Sequence, residues 1–105
     1  MEQSSRKLLI VEDDPGLRSQ MRWCFDGYDV LLAEDCVTAL AEVRQHTPPI
    51  VLLDLGLPPD PANASEGLKA LEQIRVLAPE TKIIVVTGND ERKNALQAIA
   101  MGAYD

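Results

Sequence analysis

Apolar residues along this chain fall into short unbroken runs, separated by longer stretches in which they recur at every third or fourth position. Two runs, Lys7-Leu8-Leu9-Ile10-Val11 and Lys82-Ile83-Ile84-Val85-Val86, are continuous rather than alternating. A third, Ile50-Val51-Leu52-Leu53, is shorter and equally apolar. Continuity means that both faces of such a strand are covered, as in a parallel sheet. Asp29-Val30-Leu31-Leu32-Ala33 is a weaker fourth strand and suits a sheet edge.

The intervening stretches read as helices. Asp14 can cap orphan amides and Pro15 fits the first helical position, after which Leu17, Met21, Cys24 and Phe25 fall on one stripe. Gly27 is expected to close that helix. Asp35 caps a second helix, which carries Val37, Leu40, Ala41 and Val43 on to His46 and is ended by Pro48-Pro49. A third runs over about 66–78, with Leu68, Leu71, Ile74 and Ala78 inward and Pro79 as its stop. A fourth begins near Asn89-Asp90, carries Leu96, Ile99 and Ala100, and fades at Gly102. Strands alternating with helices predict an α/β fold, a doubly wound parallel sheet built of right-handed βα units. The segment 58–65, Pro-Pro-Asp-Pro-Ala-Asn-Ala-Ser, is the one clear loop.

Composition narrows the classes. The chain has 105 residues, enough for one domain, and 10 basic against 17 acidic side chains give a net charge of −7. That balance argues against a nucleic-acid grip in this segment, which needs a basic footprint. No apolar stretch reaches the ~20 residues of a membrane helix, and the start, Met-Glu-Gln-Ser-Ser-Arg-Lys, is not a secretion signal. The expected location is therefore the cytoplasm. Cys24 and Cys36 fit no metal or redox spacing and are expected to be ordinary buried thiols. His46, with no second ligand nearby, reads as a surface histidine at a helix end. Trp23 lies off the first helix's apolar stripe.

In an open parallel sheet, ligands bind beyond the carboxyl ends of the strands, where strand order reverses. Glu12-Asp13-Asp14 follow the first strand, Asp54-Leu55-Gly56-Leu57-Pro58 the third, and Thr87-Gly88-Asn89-Asp90 the fourth. Crowded carboxylates repel, so one must protonate or a cation must neutralise them. Oxygen donors without His or Cys favour a hard ion, Mg²⁺ or Mn²⁺, over zinc. Such an ion prefers one or two carboxylates plus phosphate oxygens, which points to phosphoryl chemistry with an aspartate nucleophile. Asp14 suits a helix cap better than a ligand, Glu12 also suits a solvated charge, and Thr87 also suits a strand end.

From Lys7 onward the chain resembles the receiver domains of bacterial two-component response regulators. Lys-Leu-Leu-Ile-Val-Glu-Asp-Asp-Pro resembles that family's first strand and acidic pair, Leu-Leu-Asp-Leu-Gly-Leu-Pro its phosphoacceptor segment, and Ile-Val-Val-Thr-Gly its switch-hydroxyl segment. Gly-Ala-Tyr-Asp resembles the approach to its fifth strand. The resemblance implies a flavodoxin-like sheet of order 2-1-3-4, with the fifth strand and fifth helix absent because the sequence stops at Asp105. On that reading residues 1–105 are one receiver domain, incomplete at its C-terminal side and open to pairing as a homodimer. It implies Asp54 as phosphoacceptor, Thr87 as switch hydroxyl and the Gly88 amide on the phosphate. Mg²⁺ or Mn²⁺ would be held by Asp13, Asp54 and the Gly56 carbonyl, with Glu12 acting through a water. The implied partners are a sensor histidine kinase and an output domain of the full-length protein, and no metabolite is turned over.

The loop at 58–65 is longer than is usual in that family and either shapes kinase docking, covers the acyl phosphate or is a plain spacer. Leu-Asp-Leu-Gly-Leu-Pro-Pro-Asp-Pro, Ala-Ser-Glu-Gly-Leu and Val-Thr-Gly-Asn-Asp together resemble a narrower group, the PEP-CTERM-box response regulators of the sigma-54-activator type. Three rival readings stand beside the receiver. An aspartyl-nucleophile phosphohydrolase would need a second acid at the position held by Gly56. A nucleotide or flavin domain would need glycine-rich amides where Glu12-Asp13-Asp14 stand. A pseudo-receiver would bind partners without being phosphorylated.

Overall fold

The computed structural model describes residues 6–59, 64–86 and 98–103. Among the described residues four strands and three full helices alternate: β1 (Lys7–Val11), α1 (Pro15–Cys24), β2 (Asp29–Ala33), α2 (Cys36–His46), β3 (Ile50–Asp54), α3 (Ser65–Leu77) and β4 (Lys82–Val86). All three strand pairings are parallel and the order is β2-β1-β3-β4, as expected. Leu9 lies opposite Leu31 on one side and Val51 on the other, and Val51 opposite Ile83. Strand order reverses at β1, so the cleft between the ends of β1 and β3 is the place for a ligand. Among the described residues no helix is long and apolar enough to cross a membrane.

Alternation along β1 divides the apolar residues between the sheet's two faces. Leu9 and Val11 join Val51, Leu53 and Ile83 under α2 and α3, in a core completed by Ala39, Val43, Ala70, Leu71 and Ile74. Leu8, Ile10 and Leu52 form a smaller cluster, covered in part by Met21 and Phe25. The first face is the tighter one.

The helix stripes are corrected in detail. In α2 the buried positions are Cys36, Ala39, Leu40 and Val43, an i, i+3, i+4, i+7 set, while Val37 is 75% exposed and Ala41 also faces out. The face of α2 turned to the sheet thus includes the small side chains at 36 and 39. Helix α1 buries none of its residues; Leu17 and Cys24 are exposed, and of the expected stripe Met21 and Phe25 reach the sheet. The expectation of two buried thiols therefore holds for Cys36 and fails for Cys24. The helix also stops earlier than Gly27, with Phe25 at its C-cap. Near the end of the described chain Ala98, rather than Ile99 or Ala100, is the buried position, and Gly102 at φ 114° ends that turn. Leu96 and Asn89-Asp90 lie outside the described residues.

Both expected N-caps are present. Asp14 accepts from the amides of Gly16 (2.9 Å) and Leu17 (3.2 Å). Asp35 accepts from the Thr38 amide at 2.8 Å, and the Thr38 hydroxyl oxygen accepts in return from the Asp35 amide at 3.2 Å, forming a capping box. These bonds, the amide first, hold the Asp35 carboxyl below its usual range. Asp35→Ala is expected to cost about 1 kcal/mol at neutral pH, read from urea unfolding midpoints. A lowered pKa gives stability that is present above the ordinary carboxylate value and lost on acidification, so the gap between the two proteins should narrow in acid. A gap that widened in acid would contradict this assignment.

Candidate functional site

The acids gather where strand order reverses. Glu12 continues the β1–β2 ladder, its amide donating to the Ala33 carbonyl at 3.0 Å, and it is only 4% exposed. Its Oε2 accepts from the Asp14 amide at 3.2 Å. Asp13, next along, is half-buried. Asp54 is the last residue of β3 and also half-buried, and its Oδ1 accepts from the Gly56 amide at 3.1 Å. Glu12, Asp13 and Asp54 each present a carboxylate oxygen, and these oxygens lie within 4.8 Å of one another. Asp14 stays out of this group and serves as the α1 cap. Thr87 and Gly88 lie outside the described residues.

The loop after Asp54 is anchored from below. Leu55 and Leu57 are fully buried, and the Leu55 carbonyl accepts from the amides of Leu57 and Gly67, both at 3.1 Å. Gly67, in the first turn of α3, comes so close that a Cβ there would sit 2.2 Å from the Leu55 Cα. No side chain fits between the helix and this loop. Sequence reasoning missed Gly67 as a site-supporting residue. The signal was available, since glycine inside a helix costs about 1 kcal/mol against alanine and asks for a packing reason.

Three carboxylates this close cannot all ionise cheaply. Burial pushes the Glu12 carboxyl up to about 7 from its usual 4.5. The Asp14 amide works against the rise, and the Asp54 charge and hydrogen bonds with Asp13 and Asp54 add to it. A divalent cation would remove the conflict by replacing the proton. All-oxygen donors of this kind suit a hard ion such as Mg²⁺, so the residues present fit the metal. His46 takes no part: it sits in the last turn of α2, its Nε2 3.6 Å from Glu42.

Two expectations follow. Glu12 is raised in the folded state, so between about pH 4.5 and 7 the native protein binds the extra proton and stability falls as pH rises. In metal-free buffer the urea midpoint should drop across that window, Glu12→Gln should flatten the drop, and Mg²⁺ should offset it. An identical drop in Glu12→Gln would assign the proton elsewhere. Separately, Gly67→Ala forces the α3 backbone off Leu55 and is expected to cost about 1–3 kcal/mol in a denaturant titration. An unchanged midpoint would show that the contact yields freely.

The model of the response regulator receiver domain family matches residues 8–105. The nitrogen assimilation regulatory protein NtrX of Azorhizobium caulinodans is 31% identical over 100 residues, covering 93% of this chain and 21% of that protein. The chain spans less than half the length of the curated relatives it matches. A response regulator receiver domain protein (CheY-like) from Methanospirillum hungatei has a similar structure, with a TM-score of 0.80 at 30% identity over 93% of this chain and 76% of that one. A response regulator protein from Burkholderia pseudomallei, solved with a phosphorylated aspartic acid, calcium ion and citrate, gives a TM-score of 0.82 at 25% identity over 93% of this chain and 56% of that one. Fold and sequence agree over nearly the whole chain, which belongs to the response regulator receiver domain family.

Proposed function

We propose that this chain is a phosphorylation-controlled signalling receiver in which Asp54 accepts a phosphoryl group from the phosphohistidine of a sensor kinase. The observation that carries this is the convergence of Glu12, Asp13 and Asp54 at the ends of β1 and β3. A carboxylate oxygen of Asp54 attacks phosphorus in line. The P–N bond breaks, its electron pair stays on the departing imidazole, and the product is an acyl phosphate. The Gly56 amide on Oδ1 helps to fix the rotation of the Asp54 carboxylate.

Mg²⁺ or Mn²⁺, when bound, neutralises the crowded negative charge and orients the phosphoryl oxygens. Asp13, Asp54 and the Gly56 carbonyl would hold it, with Glu12 acting through a water. Burial raises the Glu12 carboxyl to about 7, so near neutral pH a bound cation would compete with a proton on it. Thr87 and the Gly88 amide are assigned to the phosphate oxygens, Thr87 as the hydroxyl whose movement signals the change. The Burkholderia protein's phosphorylated aspartic acid and calcium ion support the same pairing of chemistry here. The output is regulatory, most simply transcriptional, and is carried by a further domain of a longer cytoplasmic protein. The narrower sigma-54-activator reading rests on the sequence of the segments 53–61, 64–68 and 86–90.

The test is acetyl phosphate with Mg²⁺, followed by intact-mass measurement. The unaltered chain should gain one phosphoryl group and Asp54→Ala none. Equal labelling of Asp54→Ala would move the acceptor to another residue, and many turnovers of generic phosphate esters would favour a hydrolase.

A further inference from the structure

Helix α1 borders the acid cluster yet is weakly packed. None of its residues is buried, and its apolar contact with the sheet comes from Met21, with Phe25 just beyond its end. One polar side chain crosses from this helix to the loop that follows β1. The Arg18 Nη1 donates to the main-chain carbonyl of Glu12 at 2.8 Å. The same nitrogen lies 4.0 Å from the Glu34 carboxylate, at the start of the β2–α2 connection. The Arg18 side chain keeps 20% of its exposure, against 64% for Glu34.

The carbonyl of Glu12 and the amide of Asp13 are two ends of one rigid peptide plane. Fixing that oxygen therefore fixes the direction in which the chain enters Asp13. A charged donor on a part-buried carbonyl makes a stronger bond than a neutral one. The planar guanidinium can also face a carbonyl and a carboxylate at once, which a lysine ammonium on its flexible stem does less well.

We infer that Arg18 is a positioning residue for the acid cluster. By tying α1 and Glu34 to the Glu12–Asp13 peptide, it holds both acids at the spacing they need to share a divalent cation with Asp54, and it relays any displacement of α1 to them. The inference rests on the divalent-cation reading given under the proposed function. A residue that merely fastened α1 would alter stability and leave cation affinity alone, so the two quantities must be read separately.

The experiment measures Mn²⁺ binding to the 105-residue chain by electron paramagnetic resonance, beside urea midpoints, for the unaltered protein, Arg18→Ala, Arg18→Lys and Arg22→Ala. Partners in the layer behind metal ligands typically change affinity by about 10- to 100-fold. Arg18→Ala is expected to weaken Mn²⁺ binding about tenfold while staying folded. Arg18→Lys should recover part of the loss, and Arg22→Ala, exposed in the last turn of the same helix, should bind as the unaltered chain does. Equal affinity in Arg18→Ala and the unaltered chain would overturn the inference, as would an equal loss in Arg22→Ala. If Arg18→Ala fails to fold, Arg18→Gln takes its place, and undiminished affinity there overturns the inference in the same way. An unaltered chain that binds no Mn²⁺ would overturn the cation reading itself, and this inference with it.

Discussion

Parallel pairing of β1 with β3 is the constraint from which the site follows. Val11 lies opposite Leu53, and neither is exposed at all. With both strand ends sealed in apolar packing, the next residues along the two chains emerge side by side. Those residues are Glu12, Asp13 and Asp54. Their mutual repulsion is therefore imposed by the hydrophobic core, which holds them together against their own charge. The amides of Asp14 and Gly56 offset part of the conflict by donating to Glu12 and Asp54. Burial, and after it the Asp54 charge, leaves the Glu12 carboxyl raised to about 7. Oxygen donors gathered in this way suit a hard cation.

The walls of the site differ in stiffness. On the α3 side, Leu55 and Leu57 are buried, the Leu55 carbonyl carries two hydrogen bonds, and Gly67 admits no side chain between helix and loop. On the α1 side, the helix rests on a few partly buried apolar residues and on the Arg18 bridge. Motion close to the acids is thus easier on one side than on the other, and low local packing is where opening begins.

Much of this was readable in the sequence, because its strongest signals were continuous apolar runs and capping residues, both of which are local. The strands end within a residue of the expected limits, with Asp54 counted in β3, and Asp14 and Asp35 cap as their types predict. The meeting of the acids followed from topology rather than from any single motif. What could not be read was decided by packing between elements. Which apolar residues of α2 face inward, Cys36 and Ala39 rather than Val37 and Ala41, is settled by packing against the sheet and α3. Leu17 and Cys24 carry the pattern of a buried stripe, yet α1 meets too little apolar surface to cover them. Arg18 gave no sequence signal, since a charged residue in a first turn suits open water equally well. Thr87 and Gly88, outside the described residues, remain assigned by the resemblance of their segment alone.

The unlike surroundings of the two cysteines have a practical use. Cys36 is buried at the start of α2, and burial pushes its thiol up, away from the reactive thiolate. Cys24 is exposed at the end of α1. A maleimide dye or spin label applied to the native chain will therefore attach to α1 almost exclusively, beside the solvent-facing Trp23, without engineering either residue. The helix that bridges to the acids thus carries its own attachment point for a spectroscopic reporter.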